Sequence, residues 1–341
     1  MGDFSWGETL GRLVRGEALA EHDAAAAMGE IMSGAATPGQ IGGFLLALRA
    51  KGETVDEIVG LAKTMRSFSE KVTVSGPLVD TCGTGGDRSG TVNLSTMAAL
   101  VAAAAGARVA KHGNRAATSE CGSADVLEAL GVVIDLGPDG VAACIEEAGI
   151  GFCFAPVFHP AMKHAGPVRR ELGVPTVFNF LGPLTNPAGA TRQTVGVSDK
   201  SMAPKIAEAL DRLGAEHAFV FRGDDGFDEL TTTSTSRLWE IQGGVKDRSF
   251  DPAEVGIERA TTAELRGGSA DVNAKVATRV LEGEAGAVRD AVRLNAAVAL
   301  VAADIAPDLN EGMARAAEAI DSGRAKQTLD RFRDISQRLK K

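Results

Sequence analysis

Residues 79–96 read VDTCGTGGDRSGTVNLST, and how this stretch is read decides the fold. An apolar run ends at Val79-Asp80, and the Ala-rich segment Met97–Gly106 begins after Thr96. Between them Gly83, Gly85, Gly86 and Gly90 alternate with Thr84, Asp87, Ser89, Thr91, Asn93, Ser95 and Thr96. Strand, glycine-rich turn and helix N-terminus in that order aim backbone N–H groups and a helix dipole at an anion. Glycine lets the backbone approach phosphate oxygens and adopt positive φ, and Ser95-Thr96 are placed to cap the helix. A Walker A loop is excluded because no Lys follows the glycines. A dinucleotide fingerprint is excluded because Arg88 stands where its third glycine belongs. A ligand-free mobile turn would leave Asp87, Asn93, Ser95 and Thr96 unexplained at one sheet end.

The stretch KHGNRAATSECGSADVLEALG, residues 111–131, repeats the pattern. A strand ends in a polar loop, and Asp125 with Glu128 can form a capping box before an apolar helix. In a parallel sheet both loops open at the carboxyl ends of the strands, where ligands bind. From Thr81 to Ser123 the charges are Arg88, Arg108, Lys111 and Arg115 against Asp87 and Glu120. This is a positive region in a protein of 36 basic and 45 acidic residues with a formal charge of -9. The contrast suits a small anion; the overall field repels nucleic acid.

Outward from these loops, the pattern predicts amphipathic helices near Leu10–Val14, Asp23–Met32, Pro38–Ala50 and Asp56–Phe68, with no strand before Lys71. Thr37-Pro38 is a helix start. Beyond Val72, strands are predicted at Leu78–Asp80, Arg108–Lys111, Val132–Asp135, Gly151–Ala155, Thr194–Val197 and His217–Arg222. Helices are predicted at Ser95–Ala105, Asp125–Leu130, Gly140–Ala148, Pro160–Leu172 and Met202–Leu213, with a helical tail beyond Asp271. The expected fold is α/β: a small N-terminal helical domain (1–70) and a large α/β domain (71–341) with a mostly parallel central sheet. The length of 341 residues suits two domains. Cys82, Cys121, Cys144 and Cys153 form no C-x-x-C pair, so reduced thiols in a cytoplasmic protein are expected. The longest nearly unbroken apolar run, Met97–Ala107, is too short to cross a bilayer, so no membrane partner is expected.

The blocks GTGGD…NLST and KHGNRA-x-x-S-x-x-GSAD closely resemble the anthranilate phosphoribosyltransferase family, within the nucleoside phosphorylase and phosphoribosyltransferase fold. So do His159-Pro160 with Val168-Arg169-Arg170, Phe178-Asn179 with Leu181–Pro187, and Asp228-Glu229-Leu230, all in family order. Thr118 stands where the family usually has Ser, and Phe180 where Leu is common. The resemblance implies transfer of a phosphoribosyl group from 5-phosphoribosyl 1-pyrophosphate to the amine of anthranilate, in tryptophan biosynthesis. It also implies a homodimer formed through the helical domain, and a segment at about 166–185 that returns to that domain. Carried over by position, the donor site is Gly83, Gly86, Asp87, Thr91, Asn93, Leu94, Ser95 and Thr96. To these it adds Lys111, His112, Gly113, Asn114, Arg115, Ala116, Ala117, Thr118, Ser119 and Ser123. Anthranilate falls to Gly83, His112, Asn114, His159 and Arg169, with the Arg169 fork receiving its carboxylate.

The resemblance further implies magnesium, two ions per subunit, held by Ser95, Asp228 and Glu229; hard carboxylate oxygens suit Mg²⁺. No side chain is assigned as a base: an aryl amine is already neutral at pH 7, so His112 is expected to pack or orient. Lys111 and the metal supply electrostatic stabilisation. Two other functions are compatible with parts of the pattern. A pyrimidine nucleoside phosphorylase of the same fold would work without magnesium, and a non-catalytic nucleic-acid-binding relative would need an extended basic surface.

Overall fold

The computed structural model describes residues 4–116 and 120–340. Its N-terminal part is helical: α1 (Trp6–Val14), α2 (Glu21–Ser33), α3 (Pro38–Lys51) and α4 (Val55–Ser67). Local chemistry sets their starts. Ser5 caps α1, and Thr37 with Gln40 and Thr54 with Glu57 form capping boxes on α3 and α4. Gly60 lets α4 lie against α2, since a Cβ there would meet the Glu21 carbonyl oxygen at 2.2 Å.

The remainder is built on a seven-stranded sheet of order β3-β2-β1-β4-β5-β6-β7. The strands are β1 (Val79–Gly83), β2 (Val109–Gly113), β3 (Ile150–Phe154), β4 (Arg192–Gly196), β5 (His217–Gly223), β6 (Ser236–Ile241) and β7 (Val245–Phe250). β1 to β5 run parallel to one another; β6 pairs antiparallel with β5 and forms with β7 an antiparallel hairpin at that edge. Two helices leave the carboxyl ends of β1 and β2: α5 (Leu94–Ala104) and α6 (Ser123–Ala129).

Both faces of the sheet are covered. On β5, Ala218 and Val220 enter the core shared with α2, α3 and α4, while Phe219 and Phe221 enter the core shared with α5 and the helix Ala287–Ala302, the period-two alternation of a strand. Residues 165–184 return to the helical side: Ala165, Val168, Val177, Phe178 and Leu181 pack in the same core as Phe44, Leu48 and Met65. Among the described residues no helix is long and apolar enough to cross a membrane.

Four expectations differ. Val132–Asp135 is not a strand; Val132 and Ile134 are buried, but the Val133 N–H donates to the Ser336 hydroxyl rather than to a neighbouring strand. The β6–β7 hairpin was not foreseen. The predicted helix Pro160–Leu172 is two pieces, a 3-10 turn at Pro160–Lys163 and a helix Gly166–Leu172 that restarts with Pro167 in its first turn. Asn93, not Ser95 or Thr96, is the residue before α5, and no side chain caps that helix.

Candidate functional site

The chain runs β1, β2, β3 toward one edge and then restarts at β4 on the other side of β1, so the strand order reverses between β1 and β4. Open α/β sheets bind ligands at such a switch point, outside the carboxyl ends of the strands. The residues there leave room. Gly83 and Gly196 are paired at the ends of β1 and β4. A Cβ on Gly83 would meet Asp228 Oδ2 at 2.4 Å, and one on Gly196 would meet the Asp228 carbonyl oxygen at 1.6 Å. Two glycines in register thus make the seat for Asp228. The turn after β1 includes Arg88, which adopts φ 56°, a left-handed conformation uncommon outside glycine.

A cavity of about 730 Å³ opens from this seat. Its walls carry Gly83, Gly86, Asn93, Ser95 and Thr96 from the first turn, with Lys111, His112, Gly113, Asn114, Arg115, Ala116 and Ser123 from the second. His159, Arg169, Asp228 and Glu229 complete the predicted residues on the same walls. Asp87, Thr91 and Leu94 do not line it: Asp87 accepts from the Ser89 N–H, Thr91 bonds the Ser89 hydroxyl, and Leu94 is buried in the core. Ala117, Thr118 and Ser119 lie outside the described residues. Met65, Met162, Pro175 and Phe178, to which the sequence assigned no part in binding, also line the cavity. Proximity in the fold selects these apolar residues, and no spacing signal marks them.

At the sheet end, negative charge converges. Asp228 Oδ2 accepts the Gly85 N–H at 2.6 Å and Glu229 Oε1 accepts the Ser95 N–H at 3.2 Å. Burial, and then the neighbouring Asp87, push the Asp228 carboxyl up to about 7. Burial and Asp228 push Glu229 up as well, against the pull of Lys111. Lys111 is 2 % exposed; its Nζ donates to the Thr81 carbonyl and lies 3.4 Å from the Ser95 hydroxyl. Among the described residues no three metal-ligating side chains form a complete cage. Mg²⁺ characteristically takes one or two carboxylates and completes its shell with water and substrate phosphates. A strained pair of carboxylates beside a hydroxyl therefore fits a magnesium that arrives with a phosphorylated ligand.

The wall from the 166–185 segment is different. The Arg169 guanidinium lies 5.2 Å over the Phe178 ring, burial lowers its pKa, and no carboxylate among the described residues pairs with it. Arg170 is exposed. The rings of His112 and His159, which also line the cavity, are 5.1 Å apart. Burial lowers them to about 4 and about 3, so both are neutral at pH 7. His112 Nδ1 donates to the Gly182 carbonyl at 3.1 Å, which leaves Nε2 a bare acceptor without a partner among the described residues. Arg115 is committed elsewhere, to Asp125 at 2.9 Å and Glu128 at 2.8 Å. Those carboxylates do not form the expected box as a pair: Asp125 reaches back to the Gly122 N–H, and Glu128 serves Arg115.

Comparison with known proteins matches this architecture part by part. Residues 8–69 match the helical bundle domain of the glycosyl transferase family, and residues 75–326 match its a/b domain. The chain belongs to that family. Within it, the chain is similar to curated anthranilate phosphoribosyltransferases. That of Nocardioides sp. is 57% identical over 96% of this chain and 98% of its own; that of Thermobifida fusca is 53% identical over 99% and 98%. The crystal structure of the Thermus thermophilus anthranilate phosphoribosyltransferase superposes with a TM-score of 0.92 at 47% identity, covering 96% of this chain and 99% of that one. The Saccharomyces cerevisiae enzyme in complex with PRPP and Mg gives 0.90 at 28% identity, covering 99% of each chain.

Proposed function

We propose that this chain transfers the phosphoribosyl group of 5-phosphoribosyl 1-pyrophosphate to the amine of anthranilate, releasing pyrophosphate with Mg²⁺ as cofactor. The observation that carries the reading is the polarity of one cavity. Hydroxyls, glycine N–H groups and a carboxylate pair line its sheet side, and on the wall from the 166–185 segment a guanidinium with no carboxylate partner among the described residues lies over an aromatic ring.

The two turns bind the donor through backbone N–H groups and the hydroxyls of Ser95, Thr96 and Ser123, with Lys111 behind them. Ser95, Asp228 and Glu229 would hold magnesium, which supplies charge neutralisation for the departing pyrophosphate; two ions per subunit suit the charge of that group. Arg169 receives the anthranilate carboxylate as a fork while Phe178 flanks it. The amine needs no base before attack, and neutral His112 and His159 line the same cavity. Holding both reactants in one cleft supplies orientation and electrostatic stabilisation.

The helical unit, 1–70 with 166–185, is read as the partner-binding domain of a homodimer. In support, Val14 on α1 is 78% exposed and Leu46 on α3 is 43% exposed in the single chain. A cytoplasmic location fits the free thiols of Cys82, Cys144 and Cys153. The activity is tested by mixing protein, donor, anthranilate and Mg²⁺ and following loss of anthranilate fluorescence. Folded protein that never consumes anthranilate would contradict the reading.

A further inference from the structure

Asn93 sits where an Asn side chain ordinarily accepts from the first N–H groups of a helix, yet α5 has no side-chain cap. Its amide is turned aside. Asn93 Oδ1 accepts from Asn273 Nδ2 at 2.9 Å and from Cys121 Sγ at 3.3 Å, while Nδ2 donates to the Cys121 carbonyl at 3.1 Å. The bonds therefore join the end of the first turn to the end of the second through Asn93 and Cys121, and Asn273 of the helix Ala270–Leu281 braces the Asn93 amide that makes them.

Asn273 is 2 % exposed, and its orientation is fixed by its other bond: Oδ1 accepts the Gly268 N–H at 2.9 Å, so Nδ2 must face Asn93. The strip leading into this helix is laced to the first turn. Val92 N–H donates to the Leu265 carbonyl at 3.0 Å, Gly267 N–H donates to the Gly90 carbonyl at 2.8 Å, and Thr91 bridges Arg266. Gly267 must be glycine for this approach, since a Cβ would lie 2.8 Å from Asn273 Oδ1 and 2.9 Å from the Thr91 carbonyl oxygen. Cys121, Val126 and Ala274 bury a small apolar cluster beneath the same junction.

We propose that Asn273 is a positioning residue that holds the two donor-binding turns in a single arrangement by gripping the Asn93 amide, a role that rests on the function proposed above. It touches no substrate itself. The variant that tests it is Asn273→Asp, which keeps the acceptor for Gly268 but sets an oxygen against Asn93 Oδ1; Asn273→Ala removes both bonds. Each variant is compared with wild type by steady-state kinetics and by hydrogen exchange of the ligand-free protein. The expected result for Asn273→Asp is a donor KM raised about tenfold, the cost of one buried polar group left unpaired. The anthranilate KM stays within about twofold. Exchange quickens in 84–93 and 120–126 and is unchanged in 6–67. A donor KM equal to that of wild type, or exchange that rises equally throughout the chain, would overturn the proposal. Should wild type show no turnover, the function fails, and the exchange pattern alone then decides on the clamp.

Discussion

Replacing Arg169 by Ala isolates one end of the reaction. In the free protein Arg169 pairs with no carboxylate among the described residues and contacts the Phe178 ring at 5.2 Å. Removing it therefore forfeits a partly buried cation–π contact of about 1–2 kcal/mol, and the fold should tolerate the change. The bound state loses more. A hydrogen bond to a charged group is worth about 1.5–3 kcal/mol, and a fork makes two to one carboxylate. A net loss near 3 kcal/mol lowers kcat/KM for anthranilate by roughly 150-fold. The assay is anthranilate fluorescence with each substrate varied in turn. The loss should fall on the anthranilate KM, with the donor KM within about twofold. Arg169→Lys should recover roughly a tenth to a third of the activity, since it keeps charge without the fork. Arg170→Ala is the comparison: that side chain also lines the cavity but is exposed, so only a much smaller loss is expected of it. Equal rises in both KM values, or a comparable loss in Arg170→Ala, would refute the assignment.

Two further outcomes follow from the charges of the site. Asp228→Asn should lower turnover by about two orders of magnitude, or on the order of 3 kcal/mol of charge stabilisation. The same variant should raise the Tm, because burial and Asp87 disfavour the native carboxylate; a Tm lowered along with activity would contradict this account of the seat. The two buried histidines should each weaken the fold in mild acid, while the raised Asp228 and Glu229 carboxyls act in the opposite sense over the same range. His112 and His159 are held neutral, at about 4 and about 3, whereas an unfolded histidine binds its proton near pH 6.5. As pH drops below 6.5 these rings gain protons in the unfolded chain but not in the folded one, so their contribution to stability declines until the folded values are reached. Each ring removes about 1.5 kcal/mol between pH 6.5 and 5. Urea unfolding of wild type and His159→Gln at these two pH values measures it as the difference between their pH dependences, and the same dependence in both would rule it out.

Much of this was legible in the sequence because the informative residues are adjacent in the chain. The two polar turns announce themselves through glycines and hydroxyls at strand ends, and helices α1 to α4 through their apolar period and the Thr37 and Thr54 caps. The β6–β7 hairpin was missed because Lys246, Asp247, Arg248 and Ser249 face solvent on an edge strand and read as loop, though Gly243-Gly244 marks the turn. Val132–Asp135 misled in the opposite sense: its β-branched, alternating pattern is met by helix Arg324–Arg338 rather than by a neighbouring strand. The junction through Asn273 joins positions 180 residues apart, and no local pattern reveals such a contact. Nor does the order of residues show that Arg115 is spoken for by α6, since that depends on side-chain direction.

The central claim is that the turns after β1 and β2 and the Asp228-Glu229 pair together grip a metal-bound, doubly phosphorylated sugar. Calorimetric titration of 5-phosphoribosyl 1-pyrophosphate into the protein tests it most directly, with Mg²⁺ and with EDTA, for wild type and Glu229→Gln. Heat of binding in wild type with Mg²⁺, abolished by EDTA and sharply reduced in the variant, is the predicted result. No heat with Mg²⁺, or the same heat in EDTA and in the variant, would contradict it.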